Sequence, residues 1–210
     1  MTIRIGIAED YKVFREALMA ILEADEDIRI TMEAENGAEM LDALKKEQPD
    51  IILMDLKMPV MGGIEATRII RQQYPQVKVL VISMYSDDTF ISHLVKGGAN
   101  GYLLKNTEPE QIREAIHALM ENGYYFHEPI DNQLLRELIL KNNLMPTFNQ
   151  DIALSETEKK ILASLGHNPQ DESITRETRL ELMQKIGVPN TAGLVMYALV
   201  KGLTGELPAS

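Results

Sequence analysis

Two short runs, Ile51-Ile52-Leu53-Met54 and Val79-Leu80-Val81-Ile82, are apolar without interruption. A strand with one face in water alternates polar and apolar residues, so an unbroken run of this length belongs to a strand covered on both faces. That condition demands layers of helix on either side of a sheet. The rest of residues 1–123 supplies them. Strand-like runs at Ile3–Ala8, Ile28–Ala34, Ile51–Met54, Val77–Ile82 and Gly101–Leu104 alternate with segments whose apolar residues recur at helical spacing. Val13, Phe14, Ala17, Leu18, Ile21 and Leu22 form one such face. Met40, Leu41 and Leu44 form a second, and Ile64, Ile69 and Ile70 a third. Phe90, Leu94 and Val95 follow, then Ile112, Ile116 and Leu119. Strands and helices in strict alternation predict an α/β fold, a doubly wound five-stranded parallel sheet.

After Gly123 the pattern changes. Residues 124–152 read as a linker that carries one helix at 131–141, and 153–210 as a second, smaller all-α domain. Ser155-Glu156-Thr157-Glu158 has the form of a capping box, and Gly166 is expected to end the helix that it opens. A second helix spans roughly 174–186 up to Gly187, and a third spans 191–203.

Charge bears on function more than on fold. The chain of 210 residues has a net charge of −11. Residues 1–150 hold 15 basic and 24 acidic residues, and residues 151–210 hold 6 and 8, so neither part has the basic excess usual in a nucleic-acid binder. No cysteine is present, which excludes disulfides and thiolate metal sites. The N-terminal run meets acid too early for a signal peptide, and no stretch of about 18 apolar residues exists. A cytoplasmic protein with no membrane partner is expected.

In open α/β sheets, ligands bind beyond the carboxyl ends of the strands. Those ends carry Glu9 and Asp10, then Asp55, Ser83 and Lys105. Three carboxylates in one pocket need a cation to remain ionised together, and hard oxygen donors with room for water suit Mg²⁺. Lys105 and the Ser83 hydroxyl would hold the oxygens of a phosphoryl group on Asp55. Pro59–Gly63 reads as a turn in which Gly62 and Gly63 supply positive φ. An aspartyl-phosphate phosphatase of the haloacid dehalogenase type would place an acid two residues after the nucleophile; Lys57 stands there, and that reading is rejected. His93, His117, His127 and His167 show no ligand spacing.

These residues, together with Asp55-Leu56-Lys57-Met58-Pro59 and Gly97-Gly98-Ala99-Asn100-Gly101-Tyr102-Leu103-Leu104-Lys105, resemble the flavodoxin-like receiver domain of two-component response regulators. The resemblance covers about 122 residues in order. It implies that Asp55 accepts a phosphoryl group from a sensor histidine kinase. It also implies that Glu9, Asp10, Asp55 and the Lys57 backbone carbonyl hold Mg²⁺. Ser83 and Lys105 would sense the phosphate, and Tyr102 would change rotamer with Ser83. The fourth helical segment, the fifth strand and the fifth helical segment would form the readout face. The only chemistry expected is at Asp55 itself, not enzymatic turnover of another substrate.

Residues 155–203 are similar to the helix-turn-helix output domain of the NarL and LuxR class, but with a gap. Gly166–Ser173, eight residues broken by Pro169, are too few for the supporting helix such a motif needs. The would-be recognition helix offers Arg176, Arg179 and Lys185 to DNA, set among Glu172, Glu177 and Glu181. Two outputs are compatible with this sequence. One is transcription regulation by DNA binding, with a homodimer through the 191–203 helix. The other is a phospho-switched protein-interaction module that does not bind DNA. A third possibility, dimerisation alone, would use the Leu194, Val195, Ala198 and Leu199 stripe.

Overall fold

The computed structural model describes residues 2–84, 94, 97–126, 148, 152–169, 171–188 and 190–204. The helix expected at 131–141, and Phe90 and Val95 of the fourth helical segment, lie outside them; Leu94 is helical and buried. The chain divides into two compact units, residues 1–120 and 121–210.

The first unit is built on β1 (Ile3–Ala8), α1 (Lys12–Glu23), β2 (Ile28–Ala34), α2 (Gly37–Leu44), β3 (Ile51–Asp55), α3 (Gly63–Gln73), β4 (Lys78–Ser83), β5 (Gly101–Leu104) and most of α4 (Pro109–Asn122). The strands run in the order β2-β1-β3-β4-β5, and every paired neighbour is parallel. The parallel sheet expected from the sequence is therefore present. A two-residue strand, β6 (Tyr125–Phe126), brings the count to six against the five expected. Two residues with mixed neighbours leave no periodicity to read.

The unbroken apolar runs sit where their composition requires. All five residues of β3 are buried, as are Val79–Ser83 of β4. At Ile51↔Lys78 through Asp55↔Ile82 the two strands pair in register, which brings their carboxyl ends level. The order of strands reverses between β1 and β3, so the crevice of this fold opens above that pair.

The turn after β3 departs from expectation. Positive φ falls on Val60, at 64°, and not on Gly62 or Gly63. Glycine is needed at 63 for closeness: a Cβ there would collide with the Asp55 carbonyl oxygen and lie 2.9 Å from Met54 Cγ. Gly63 N–H donates to Leu56 O at 3.0 Å, so α3 starts pressed against the strand end that carries Asp55.

In the second unit, α5 (Glu156–His167), α6 (Arg176–Ile186) and α7 (Thr191–Val200) each begin at a side-chain cap: Ser155, Thr175 and Asn190. Both bonds of the capping box are made, and Gly187 closes α6 at φ 75°. Gly166 does not end α5; it is buried within the last turn, where a Cβ would collide with Thr204 Cγ2, and the helix stops at His167. α7 is buried on every side from Ala192 to Leu199. Phe148 meets Tyr197 edge-on at 5.1 Å and Tyr124 at 6.3 Å, which makes Tyr124 part of this core. Among the described residues no helix is long and apolar enough to cross a membrane.

Candidate functional site

The carboxyl ends of β1, β3, β4 and β5 deliver one cluster. Glu9 follows β1 and is 2% exposed; Asp10 follows it and is open to solvent. Asp55, 7% exposed, is the last residue of β3, and Ser83, 1% exposed, the last of β4. Lys105 comes directly after β5, and its N–H donates to Ser83 O at 2.8 Å.

Lys105 ties the acids together. Its Nζ lies 2.7 Å from Glu9 Oε2 and 3.1 Å from Asp55 Oδ2, over the Phe14 ring at 4.8 Å from the centroid. Each carboxylate keeps a backbone donor as well: Tyr11 N–H to Glu9 Oε1 at 3.2 Å, and Leu56 N–H to Asp55 Oδ1 at 2.7 Å. Burial pushes the Glu9 carboxyl above its ordinary pKa; the bond from Lys105 opposes this and the charge of Asp55 adds to it. One ammonium is paired with two of the three acids, so the pocket retains a demand for positive charge.

Glu9, Asp10 and Asp55 each bring a carboxylate oxygen within 4.8 Å of the others. An octahedral divalent ion with oxygens at about 2.1 Å spans opposite ligands at roughly that separation. With two acids enclosed and Asp10 facing water, the set fits a hard cation that keeps part of its hydration shell. Lys57 lies in the exposed loop just after β3.

Tyr102 of β5 is turned inward and 5% exposed. Burial raises its phenol pKa and the neighbouring Ser83 hydroxyl opposes the shift, although the Tyr102 hydroxyl makes no hydrogen bond of good geometry among the described residues.

Sequence reasoning overlooked Arg15. It was absent from the apolar face of α1, yet it is 8% exposed and donates to the Glu9 main-chain carbonyl. Phe14 was read as helix core only, and it also forms the floor under the Lys105 ammonium.

The three cations assigned to DNA are not alike. Arg179 donates to the carbonyls of Pro169 and Asp171, each at 2.7 Å, and of Ile174 at 3.3 Å. Lys185 Nζ binds Glu158 Oε1 at 2.6 Å. Arg176 is exposed and takes no partner among the described residues. The stripe offered for dimerisation is core: Leu194, Val195, Ala198 and Leu199 are all 0% exposed.

A parallel sheet in this order, with acids at the β1/β3 crevice and a lysine after β5, has the architecture of a signal-receiver domain. Residues 5–117 match the model of the response regulator receiver domain, and the chain belongs to that family. It is 35% identical over 156 residues to the transcriptional regulatory protein DegU of Brevibacillus brevis, over 74% of this chain and 66% of that protein. It is 33% identical to the transcriptional regulatory protein LnrK of Bacillus subtilis, over 96% of this chain and 99% of that one. Among solved structures, a LuxR-family two-component response regulator from Aurantimonas sp. SI85-9A1 is similar at 30% identity and TM-score 0.58, over 68% of this chain and 99% of that one.

Proposed function

We propose that this response regulator takes a phosphoryl group from a sensor histidine kinase onto Asp55, with Mg²⁺ held by Glu9, Asp10, Asp55 and the Lys57 carbonyl, and that the phosphorylated state regulates transcription through DNA binding by the helical unit. The observation that carries this reading is the convergence of three carboxylates and Lys105 at the β1/β3 crevice.

The chemistry follows from the donors. Asp55 Oδ2 faces the pocket while Oδ1 is held by Leu56 N–H, so Oδ2 is the attacking oxygen. A new O–P bond forms as the P–N bond of the kinase's phosphohistidine breaks, and the imidazole leaves with a proton. Mg²⁺, when bound, neutralises charge on the phosphoryl oxygens. Lys105 is released from Asp55 to bind a phosphoryl oxygen, and the Ser83 hydroxyl donates to another. Tyr102, already inward beside Ser83, is the element whose rotamer the phosphoryl group locks. The protein acts on no other substrate. The test is uptake of label from acetyl phosphate with Mg²⁺. Asp55→Asn is expected to abolish it; uptake that persists in this variant would remove the proposal.

A second output reading has its own support. With Arg179 and Lys185 engaged within the unit, α6 presents few free cations for phosphate contacts. A protein-interaction output fits that surface. Titration of duplex DNA with full-length protein, with and without beryllofluoride as phosphoryl mimic, separates the two. Binding that tightens with the mimic and weakens steeply with salt supports the transcription reading. No binding in either state supports the protein-partner reading.

A further inference from the structure

We infer that Arg15 is a positioning residue for the divalent-cation site, acting through the Glu9 main-chain carbonyl. The inference rests on the metal-site reading given above and adds a residue to it.

Arg15 lies in the first turn of α1 and is 8% exposed, a costly place for a guanidinium unless it is fully used. Its three nitrogens reach three different acceptors. Nη1 donates to Glu9 O, Nε lies 3.3 Å from Glu33 Oε2, and Nη2 lies 3.2 Å from Glu35 Oε1. Glu33 belongs to β2 and Glu35 follows it, so the guanidinium is fixed by the neighbouring strand and aimed at the end of β1. Glu9 N–H donates to Ala34 O at 3.0 Å. The Glu9 backbone is thus gripped on its N–H side by β2 and on its carbonyl side by Arg15.

The consequence falls on Asp10. The Glu9 carbonyl and the Asp10 amide share one rigid peptide plane. Asp10 is exposed, and no hydrogen bond fixes its carboxylate among the described residues. The point from which its side chain departs is therefore set by the plane that Arg15 holds. Glu9 has Lys105 and Tyr11 to orient it, so Asp10 is the ligand that depends on Arg15. The two carboxylates behind Arg15 outnumber its charge, and Arg15→Met removes a positive charge near the site, so a loss of cation affinity in that variant reports orientation and not electrostatics.

The test is direct titration of the full-length chain with Mn²⁺, read by the electron paramagnetic resonance of the free ion and competed with Mg²⁺. Arg15→Met is expected to raise the Kd about tenfold, the low end for a residue that orients a ligand. Phosphoryl uptake from acetyl phosphate is expected to recover when metal is saturating, which general loss of structure would not allow. Arg15→Lys, which reaches one acceptor instead of three, is expected to fall between. A Kd within about twofold of the parent in folded Arg15→Met overturns the inference, taken against the fold changes usual for such residues. Should Arg15→Met not fold, Glu33→Gln with Glu35→Gln loosens the guanidinium without removing it. A rise of about threefold that persists at high salt, where the loss of two exposed charges is screened, then supports the inference, and a Kd unchanged at high salt overturns it. Failure of the parent to bind Mn²⁺, or binding indifferent to Asp10→Asn, would sink the site reading itself and this inference with it. Tight parent binding with an indifferent Arg15→Met would sink this inference alone.

Discussion

The two units use their cations in opposite ways. In the first, Lys105 joins Glu9 and Asp55 at the mouth of a crevice, where an incoming ion or phosphoryl group can take over either partner. In the second, Arg179 is spent on three carbonyls of the loop that joins α5 to α6, and Lys185 on the acid that caps α5. The contrast shows that residue type alone does not separate a functional cation from a structural one. The neighbours decide: carboxylates that need a cation and remain reachable mark a site, whereas backbone carbonyls of a short loop mark a clamp. Asp171 extends that clamp, accepting from the Ser164 hydroxyl and from the Ser173 N–H and hydroxyl. This network fastens the loop that leads into α6.

The comparison can be broken most sharply at the receiver's tightest point. Gly63→Ala pushes a methyl into the Asp55 carbonyl, and the strand end has no room to retreat. A loss of about 3 kcal/mol in urea unfolding is expected, together with slower phosphoryl uptake, because the same clash displaces Asp55. A loss under about 1 kcal/mol would mean that the turn gives way easily. In the second unit, Arg179→Met removes the donor for three carbonyls of a half-exposed clamp. Destabilisation of about 1–2 kcal/mol is expected, with faster amide exchange in the 168–175 loop and in α6. Unchanged exchange there would show that the clamp holds nothing.

A smaller effect separates the remaining cations. If α6 meets DNA, Arg176→Ala is expected to lower the salt slope of binding by about one, whereas Lys185→Ala leaves that slope nearly unchanged. Equal slopes for the two variants would contradict the division drawn between a free and an engaged cation.

The sheet was legible because burial on both faces forces an apolar run that water-facing strands never show, and β3 and β4 carry it. The positions at the strand ends were legible because chemistry is dispersed over four strands in a fixed order. What stayed hidden depends on distance between chain-remote atoms. Gly63 was credited with backbone freedom when its task is to leave space. Arg15 looked like the polar edge of an amphipathic helix, since nothing in sequence marks a guanidinium whose acceptors lie on the next strand. The apolar stripe of α7 was readable as an interface or as core, and only its burial on all sides decides for core. Arg179 and Lys185 had basic character without any sign of their partners.

The mildest test concerns Glu158, where capping and ion pairing meet on one carboxylate. The bond from Lys185 is the largest influence, followed by the Ser155 backbone N–H and the Ser155 side chain, and together they lower its pKa from the usual 4.5 to about 2. A depressed carboxyl stabilises the folded state fully above its unfolded pKa and loses that contribution as pH falls through the folded value. The second unit is therefore expected to weaken between about pH 4.5 and 2 as Glu158 takes up its proton. NMR titration of the Glu158 side chain checks this. Lys185→Ala should move the pKa upward without restoring the ordinary value, since the Ser155 N–H bond at 2.6 Å persists. High salt should do the same more weakly, because it screens the exposed ion pair and leaves the cap bonds intact. A pKa that ignores Lys185→Ala would show that the ion pair contributes nothing beyond the cap, and that Lys185 is as free for a partner as Arg176.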